Sequence, residues 1–471
     1  MTISPTSAVT APARAAAAQR RLTVGLCTTI VATAFETIAV ATAMPVAAQD
    51  LDGLAYYAWS FSLFGIGMLF STVVAGRLSD RIGPSRPLLA GLAVFLVGLV
   101  VAGTADHMAQ LVAGRLIQGL GSGLSNTAIF VLVASAYSTT ARPRMFTYIS
   151  TAWVVPSFVG PPIAAWLTAQ LSWHWVFFAV IPLVIVGGCM AWPSLRRLMA
   201  TYEPVTRDPA GAPPAPLWAA GMVAISAALL QLAGQRLDWA ALGLAVLGLG
   251  GLAVGLPRLM PACFHRFERG LSSVIISRGL LAGAFVGAEA FVPLMLVQER
   301  GVALVLAGAA LTVGSVGWTA GSWLQSRPWL RIRRDRLITA GCFSLCLGVL
   351  STALVAFWPE LPYGLVGLGW VFSGLGMGLA TSSTGLAVMT LSVPAEQGRN
   401  GSSLNLSDAL GAGLFVGASG SIFAALHVGQ PQPLTFGLVL GAMAVVALAA
   451  AAASLRIGVV RNEFVVARAG G

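Results

Sequence analysis

The sequence contains no lysine, and charged residues of both signs make up only 9% of its 471 positions. A domain that folds in water carries roughly 25% charged residues, so this composition excludes an ordinary soluble fold. Cysteine and histidine are also scarce, with five and four residues. They show no metal-ligand spacing, and the chain has no Ser/His/Asp or Cys/His grouping and no phosphate-binding loop. We therefore expect no metal site, no cofactor, no use of ATP and no enzymatic activity.

Hydrophobic residues, by contrast, make up 57% of the chain and are gathered into fourteen long runs. Each run reaches or approaches the ~20 apolar residues that a helix needs to cross the hydrocarbon core of a bilayer. The runs lie at 22–46, 55–75, 87–105, 109–137, 146–171, 174–193, 217–235, 239–256, 272–297, 302–324, 337–358, 362–392, 402–427 and 433–455. This pattern predicts an all-α membrane protein with fourteen transmembrane helices.

The arginines are distributed unequally between the two sets of alternate loops. One set contains Arg77, Arg81, Arg86, Arg142, Arg144, Arg196, Arg197, Arg207, Arg258, Arg266, Arg269, Arg327, Arg331, Arg333, Arg334, Arg336 and Arg399, and the other contains only Arg236 and Arg300. Basic residues favour cytoplasmic loops, so both termini are expected in the cytoplasm and the protein in the cell membrane. Contact with anionic lipid, and not with nucleic acid, accounts for the net charge of +11.

Internal repetition divides the chain into two similar halves. The fourth run contains GLGSGL at 119–124, and the twelfth contains GLGMGL at 374–379. We therefore predict an N-terminal six-helix bundle, a cytoplasmic loop, a central two-helix hairpin and a C-terminal six-helix bundle, flanked by two cytoplasmic tails, the first of them disordered. The boundaries are 1–21, 22–193, 194–216, 217–256, 257–457 and 458–471. Repeated bundles of this kind are typical of secondary transporters, which bind substrate where the repeats meet.

Four motifs in the first half occur in an order that points to one family. The segment Gly76–Gly83 reads GRLSDRIG, Arg115–Gly123 reads RLIQGLGSG, Gly160-Pro161 is followed by two alanines at 164–165, and Phe35-Glu36 precedes Met44-Pro45. Together they resemble the motifs of the major facilitator superfamily, of its fourteen-helix drug:proton antiporter type. The chain departs from that pattern where Pro84 and Ser85 replace a basic pair, where alanines replace two glycines, and where Glu36 replaces an aspartate.

The resemblance and the physics of these motifs imply roles for their residues. An acidic residue in a basic loop at a helix end can join the two bundles in one conformation and release them in another. The gating loop would consist of Gly76, Arg77, Asp80, Arg81 and Gly83. Proline kinks a helix, and a kinked, glycine-faced fifth helix suits a hinge or a seal between the bundles. That hinge motif would consist of Pro156, Gly160 and Pro161.

Charged residues inside the apolar runs are the most specific indication of a site. A charge at the bilayer centre costs at least ~2.5–3.5 kcal/mol, so these residues should face the protein interior or a wet cavity. The proton-coupling and substrate cavity is predicted to involve Glu36, Arg115, Gln118, Glu289 and Asp408. Helix rise puts Glu36 and Arg115 at similar depths, which allows them to pair. Asp408 fits either the wall of a cytoplasmic cavity or a carboxylate favoured by a helix start.

These features predict a proton-coupled secondary transporter that exports hydrophobic small molecules, cationic ones included, by alternating access, as in multidrug efflux. Two alternatives stay open. The first-helix motif is more apolar here because Ile38 and Ala41 replace polar residues, which also suits a dedicated exporter or importer of a metabolite or lipid. The other alternative is a membrane-embedded enzyme or a non-transporting sensor. The expected partners are the substrate, protons and the lipid bilayer, and the chain is expected to act as a monomer.

Overall fold

The computed structural model describes residues 6–138, 141–202, 216–236, 238–261, 264, 266–327, 329–330, 332–393, 396–426 and 433–460. Within these ranges the chain forms helices and no strand. The first seven helices are α1 (Thr6–Asp50), α2 (Trp59–Ile82), α3 (Ser85–Gly103), α4 (Met108–Ala136), α5 (Arg142–Gln170), α6 (His174–Phe178) and α7 (Val180–Ala200). Then follow α8 (Leu217–Gly234), α9 (Trp239–Leu259), α10 (Leu271–Glu289), α11 (Val292–Gln298), α12 (Leu304–Gln325), α13 (Arg334–Phe357), α14 (Gly364–Leu391), α15 (Gln397–Leu426) and α16 (Pro433–Ser454).

These helices form fourteen apolar spans, which confirms the predicted fold class. Two of the spans consist of two α-helices each, α6 with α7 and α10 with α11. The second break coincides with Pro293, which has no N–H to bond the carbonyl of Glu289 one turn earlier. Large apolar side chains such as Trp239 and Leu247 remain 89% and 64% exposed, as expected for faces that contact lipid. The chain is therefore a multi-pass membrane protein.

The two sides of the membrane can be named from the arginines. We call the arginine-rich side the one on which α2 ends and α3 begins, beside Arg77, Arg81 and Arg86. The arginine-poor side is the opposite one, on which α1 ends and α2 begins. Because successive spans alternate in direction, α10 begins on the arginine-rich side and α11 ends on the arginine-poor side. The same alternation puts the end of α16 on the arginine-rich side.

The helices α4 and α14 hold equivalent places in the two halves. The first packs between α2 and α3, and the second packs between α12 and α13. A Cβ added at Gly119 would lie 2.1 Å from a carbonyl oxygen of α2, and one at Gly374 would lie 1.9 Å from a carbonyl oxygen of α12. Gly121 faces α3 and Gly376 faces α13 equally closely. The repeated glycines thus let each helix approach two neighbours at backbone distance, as small residues do in membrane bundles.

The two halves meet along two pairs of helices, α2 with α15 and α5 with α12. The hairpin of α8 and α9 flanks this interface. Its first helix contacts both α2 and α15, whereas α9 packs mainly on α8 and leaves most of its surface to lipid. The hairpin therefore touches both halves through one helix.

The predicted segment ends differ from the structure in two places. The expected disordered tail, 1–21, is helical from Thr6 and continuous with α1, because its alanine-rich sequence has a high helix propensity. The expected connecting loop, 194–216, begins later, since α7 continues to Ala200. Residues 1–5, residues 203–215 of that loop and residues 461–471 of the predicted C-terminal tail lie outside the described ranges.

Candidate functional site

Glu36 of α1 and Arg115 of α4 form an ion pair inside the first half. Both are buried, with 0% and 1% of their surface exposed. Arg115 Nε donates to the carbonyl oxygen of Ser60 at 2.9 Å, and Nη1 donates to Gln118 Oε1 at 2.6 Å. The guanidinium carbon lies 4.4 Å from the centre of the Phe64 ring. Arg115 thereby joins α1, α2 and α4, and the pairing that the helix depths allow is present.

Two buried polar atoms of this cluster have no partner among the residues that the structure describes. They are Oε2 of Glu36 and Nε2 of Gln118. A buried polar atom without a hydrogen bond costs roughly 1–3 kcal/mol, so the cluster is not optimised for stability alone. A carboxylate with one free oxygen can bind a proton there while its other oxygen still faces the arginine. The roles of Glu36, Arg115 and Gln118 in proton coupling stay predictions.

The second half contains an ion pair that the sequence analysis did not predict. Arg278 Nε of α10 donates to Asp408 Oδ1 of α15 at 2.5 Å, and its Nη1 lies 3.5 Å from Thr384 Oγ1. The side chain of Asp408 is 35% exposed and that of Arg278 is 11% exposed. Asp408 is therefore a paired carboxylate that water still reaches, in contrast to the fully enclosed Glu36. Arg278 is a functional candidate that the sequence analysis did not single out.

Glu289 is the last residue of α10 and is half-buried. It forms no hydrogen bond or ion pair with the described residues. Its position in the second half mirrors that of Glu36 in the first, with a proline downstream in each case. The environment differs, because no described arginine pairs with it. The break between α10 and α11 follows Glu289 directly.

The loop between α2 and α3 is held by a tyrosine that the sequence analysis did not single out. Tyr202, just after α7, has its hydroxyl 3.1 Å from the carbonyl oxygen of Ser79 and 2.9 Å from that of Asp80. Gly83 ends α2 with a φ of 82°, and a Cβ there would lie 2.9 Å from the ring of Tyr202. Conformation and space therefore both require glycine at this position.

The other gating residues lie at the same end of α2. Asp80 and Arg81 are exposed and Arg77 is half-buried. No described atom outside the local helix lies within 4 Å of the position that a Cβ would take at Gly76. A side chain at position 76 would therefore have room, in contrast to position 83. The role of this loop as a gate stays a prediction.

The proline-rich motif lies in α5, at the interface between the halves. Pro156, Gly160 and Pro161 all lie inside α5, which continues without a break to Gln170. A Cβ at Gly160 would meet Ile38 of α1 at 3.7 Å. One at Gly308 of α12 would meet the carbonyl oxygen of Pro161 at 3.3 Å. The motif therefore lies between α1 of the first half and α12 of the second, where a hinge or seal would act.

The arginine-poor side is closed by contacts that had no sequence signal. The buried hydroxyl of Tyr57 donates to the carbonyl oxygen of Ala290 at 2.5 Å, which joins the two halves. The Tyr57 ring packs on Phe291 with ring centres 5.4 Å apart, and Phe291 packs on Phe423 at the same spacing. The acceptor carbonyl lies in the break before Pro293, where the helix does not use it. Backbone acceptors exist at every residue, so a sequence does not reveal which one is used.

Comparison with known proteins finds relatives whose names refer to multidrug resistance or multidrug efflux. Multidrug resistance protein 3 of Bacillus subtilis (strain 168) is 25% identical over 382 residues, which cover 77% of this chain and 71% of the relative. Multidrug efflux pump SdrM of Staphylococcus aureus (strain N315) is 23% identical over 405 residues, covering 83% and 87%.

A solved structure of a POT family transporter in complex with a thioalcohol conjugated peptide superimposes with a TM-score of 0.68. The two chains are 16% identical, with 93% of this chain and 97% of the other covered, so the likeness concerns the fold alone. The family model described as Major Facilitator Superfamily matches residues 24–416, a range that contains the ion pairs, the gating loop and the hinge motif. With the repeated bundles and this match over most of its length, the chain belongs to the major facilitator superfamily.

Proposed function

We propose that this protein is a proton-coupled antiporter that exports hydrophobic small molecules, cationic ones included, across the cell membrane by alternating access. In this proposal the chain acts as a monomer. Its arginine-rich side and both termini face the cytoplasm, in keeping with the preference of basic residues for cytoplasmic loops. Protons, the exported compound and the surrounding bilayer are its partners.

The buried cluster of Glu36, Arg115 and Gln118 is the observation that carries the proposal. It consists of an ionisable pair in the interior of the first half, with one carboxylate oxygen left free. Burial disfavours a charged carboxylate and a neighbouring arginine favours it, so small changes in water access can change its protonation. A group of this kind is suited to carrying a proton between the two sides of a membrane.

The closed arginine-poor side supplies the second part of the mechanism. In the present conformation Tyr57 joins the halves on that side, and Glu36 is sealed from water. Opening of that side would give Glu36 access to external water, where it takes up a proton as the exported compound leaves. The reverse movement brings the proton to the cytoplasmic side, where binding of the next molecule displaces it. Inward movement of the proton is thus coupled to outward movement of the compound.

Glu289 and Asp408 extend the acidic lining into the second half in this proposal. Asp408 is accessible to water while it is paired with Arg278, so a cationic compound can compete with that arginine for it. Glu289 has no basic partner among the described residues and is a second candidate proton acceptor. The names of the two multidrug relatives support export of varied compounds.

The test is transport by purified protein in vesicles with an imposed pH gradient, with ethidium as one lipophilic cation in a panel of compounds. We expect flux with the wild type and none driven by the gradient with Glu36→Gln. The matched control is Glu360→Gln, which makes the same chemical change at an exposed residue and should transport normally. Equal gradient-driven flux with Glu36→Gln would remove Glu36 from the mechanism, and wild-type flux that ignores the gradient would contradict proton coupling.

A further inference from the structure

A cavity of about 470 Å³ opens on the arginine-rich side between the start of α13 and the end of α16. It lies in the second half and includes no residue of the gating loop or of the Glu36–Arg115 and Arg278–Asp408 pairs. No step of the proposed transport mechanism uses it. Its polar lining consists of Arg333, Asp335, Arg336, Thr339 and Ser454.

Asp335 neutralises one arginine of this cavity, and the other has no acidic partner among the described residues. Asp335 Oδ2 accepts from Arg333 Nη2 at 2.7 Å, and Oδ1 accepts from Arg333 Nε at 3.1 Å. Oδ1 also accepts from the backbone N–H of Val460 at 3.0 Å. These bonds compensate the single carboxylate of the cavity. Arg336 is exposed and forms no hydrogen bond or ion pair within the described ranges, so the cavity has an unused positive charge.

Arg336 lies at the arginine-rich end of an apolar surface that faces lipid. Phe343 follows Arg336 by two helical turns on the same face of α13 and is 49% exposed. Leu347 continues that face and is 54% exposed, and Leu455 is 68% exposed on the opposite wall at the end of α16. The helix rise puts Phe343 roughly 10 Å deeper than Arg336. A charged group at the membrane surface could contact Arg336, and an apolar chain attached to it could contact Phe343 and Leu347.

We propose that this cavity is a binding site for an anionic phospholipid, with the phosphate on Arg336 and an acyl chain along Phe343 and Leu347. A guanidinium suits a phosphate because its N–H groups form a planar fork. Basic pockets between helices on one side of a membrane protein are suited to anionic headgroups. The separation between the charge and the apolar face matches a lipid and not a free phosphate, which would use Arg336 alone. The inference does not depend on which compound is transported.

Native mass spectrometry of the full chain with added phosphatidylglycerol, phosphatidylcholine or soluble glycerol phosphate tests this site. We expect phosphatidylglycerol to bind the wild type more tightly than phosphatidylcholine, and glycerol phosphate to bind least. Arg336→Gln should weaken phosphatidylglycerol binding about fivefold, which is the effect of one basic side chain at an anionic surface. Phe343→Asn should weaken lipid binding and leave glycerol phosphate unaffected.

Arg86→Gln is the matched control, because Arg86 is an exposed arginine at the start of α3, the first-half counterpart of α13 on the same side. It should bind phosphatidylglycerol as the wild type does. Unchanged binding by Arg336→Gln would overturn the proposal, as would an equal loss with Arg86→Gln, which would indicate unspecific attraction. Equal affinity for glycerol phosphate and phosphatidylglycerol would assign the site to free phosphate and contradict the lipid.

Discussion

Arg115 brings together a carboxylate, an amide side chain, a backbone carbonyl and an aromatic face. A guanidinium can make all four contacts because its N–H groups are spread over a rigid plane. Lysine has the same charge but a single, strongly hydrated ammonium. The geometry around Arg115 therefore distinguishes a requirement for arginine from a requirement for positive charge.

Arg115→Lys should keep the charge balance with Glu36 and lose the bond to Ser60 or Gln118. Hydrogen bonds to charged groups contribute about 1.5–3 kcal/mol, so gradient-driven transport should fall at least about tenfold. Vesicle flux measures this loss, and Arg20→Lys, at an exposed residue, should behave as the wild type does. Full activity of Arg115→Lys would mean that the cluster needs only a positive charge.

Glu299 lies on the arginine-poor side between α11 and α12. We expect it to make the stability of the protein depend on pH. Burial raises the pKa of its carboxyl to about 7, and the adjacent Arg300 offsets this only in part. Neither oxygen has a partner among the described residues, and Arg300 donates to backbone carbonyls at the end of α13, including that of Val355 at 2.5 Å.

The folded protein therefore keeps the Glu299 proton at pH values where the unfolded chain has lost it. The contribution of this group to the free energy of unfolding is fully present below about pH 4.5. It is lost as the pH rises to about 7. Glu299→Gln should thus become more stable relative to the wild type between about pH 5 and pH 8. Thermal unfolding in detergent measures the difference, and Glu360→Gln, at an exposed acid, should show no such trend. A constant difference across the range would contradict the raised pKa.

The Glu36–Arg115 pair was predictable because so few charges lie inside the apolar runs that each has few possible partners. The Arg278–Asp408 pair was not, since Arg278 lies near a helix end where water could satisfy it. Ser60 contributes a backbone carbonyl, and carbonyls carry no residue-specific signal. Tyr202 follows a helix end in a polar stretch, so only the fold reveals that it covers Gly83.

At the scale of elements, the glycines of α4 set the distance between helices. A Cβ at Gly121 would lie 2.4 Å from the backbone nitrogen of Phe95 in α3, so a side chain there must push the helices apart. Gly121→Ala should lower the free energy of unfolding by about 1–3 kcal/mol, as overpacking does. Gly250→Ala in α9 is the control, because nothing lies within 4 Å of its Cβ position. Thermal unfolding compares the stabilities of the two variants. Equal stability would show that α4 and α3 can accommodate a methyl group at position 121.

The hairpin fastens the two halves together on the arginine-poor side. Trp59 Nε1 of α2 donates to Gln235 Oε1, just after α8, at 2.7 Å. Ser421 of α15 donates to the carbonyl oxygen of Gln231 in α8 at 3.5 Å. One helix of the hairpin therefore bonds to the first half and to the second. This arrangement favours the conformation in which that side is closed.

Removal of the Trp59 bond should favour opening of the arginine-poor side. Trp59→Phe keeps an aromatic ring and loses the N–H donor to Gln235. Spin labels at positions 106 and 360, in loops of the two halves on that side, should then give longer distances in a cysteine-free background. Trp239→Phe is the control, since Trp239 is 89% exposed. Identical distance distributions in both variants would exclude the hairpin from closing this side.

The number of spans and the repeat were predictable because both depend on apolar run length and glycine spacing. The packing of the hairpin against α2 and α15 was not predictable, since its apolar faces suit lipid and protein equally. The break between α10 and α11 had a signal in Pro293, yet a proline can also bend a helix without ending it, as the continuous α5 demonstrates. Helix ends in alanine-rich segments were missed because such sequences continue a helix beyond the apolar core.

At the scale of the whole molecule, the two halves are joined on the arginine-poor side and carry ionisable groups with different access to water. Glu36 is enclosed, and Asp408 is accessible. In the proposed exchange the enclosed carboxylate carries the proton, and the accessible one can bind a cationic compound.

The most direct test of the account is proton release when a transported compound binds to purified protein in weakly buffered detergent solution. A pH indicator reports the protons, and the compound is the one with the largest gradient-driven flux in vesicles. We predict that saturating binding releases protons from the wild type and from Glu360→Gln, and fewer from Glu36→Gln. Saturable binding to the wild type with no proton release would contradict the claim that compound and proton compete for the enclosed carboxylate.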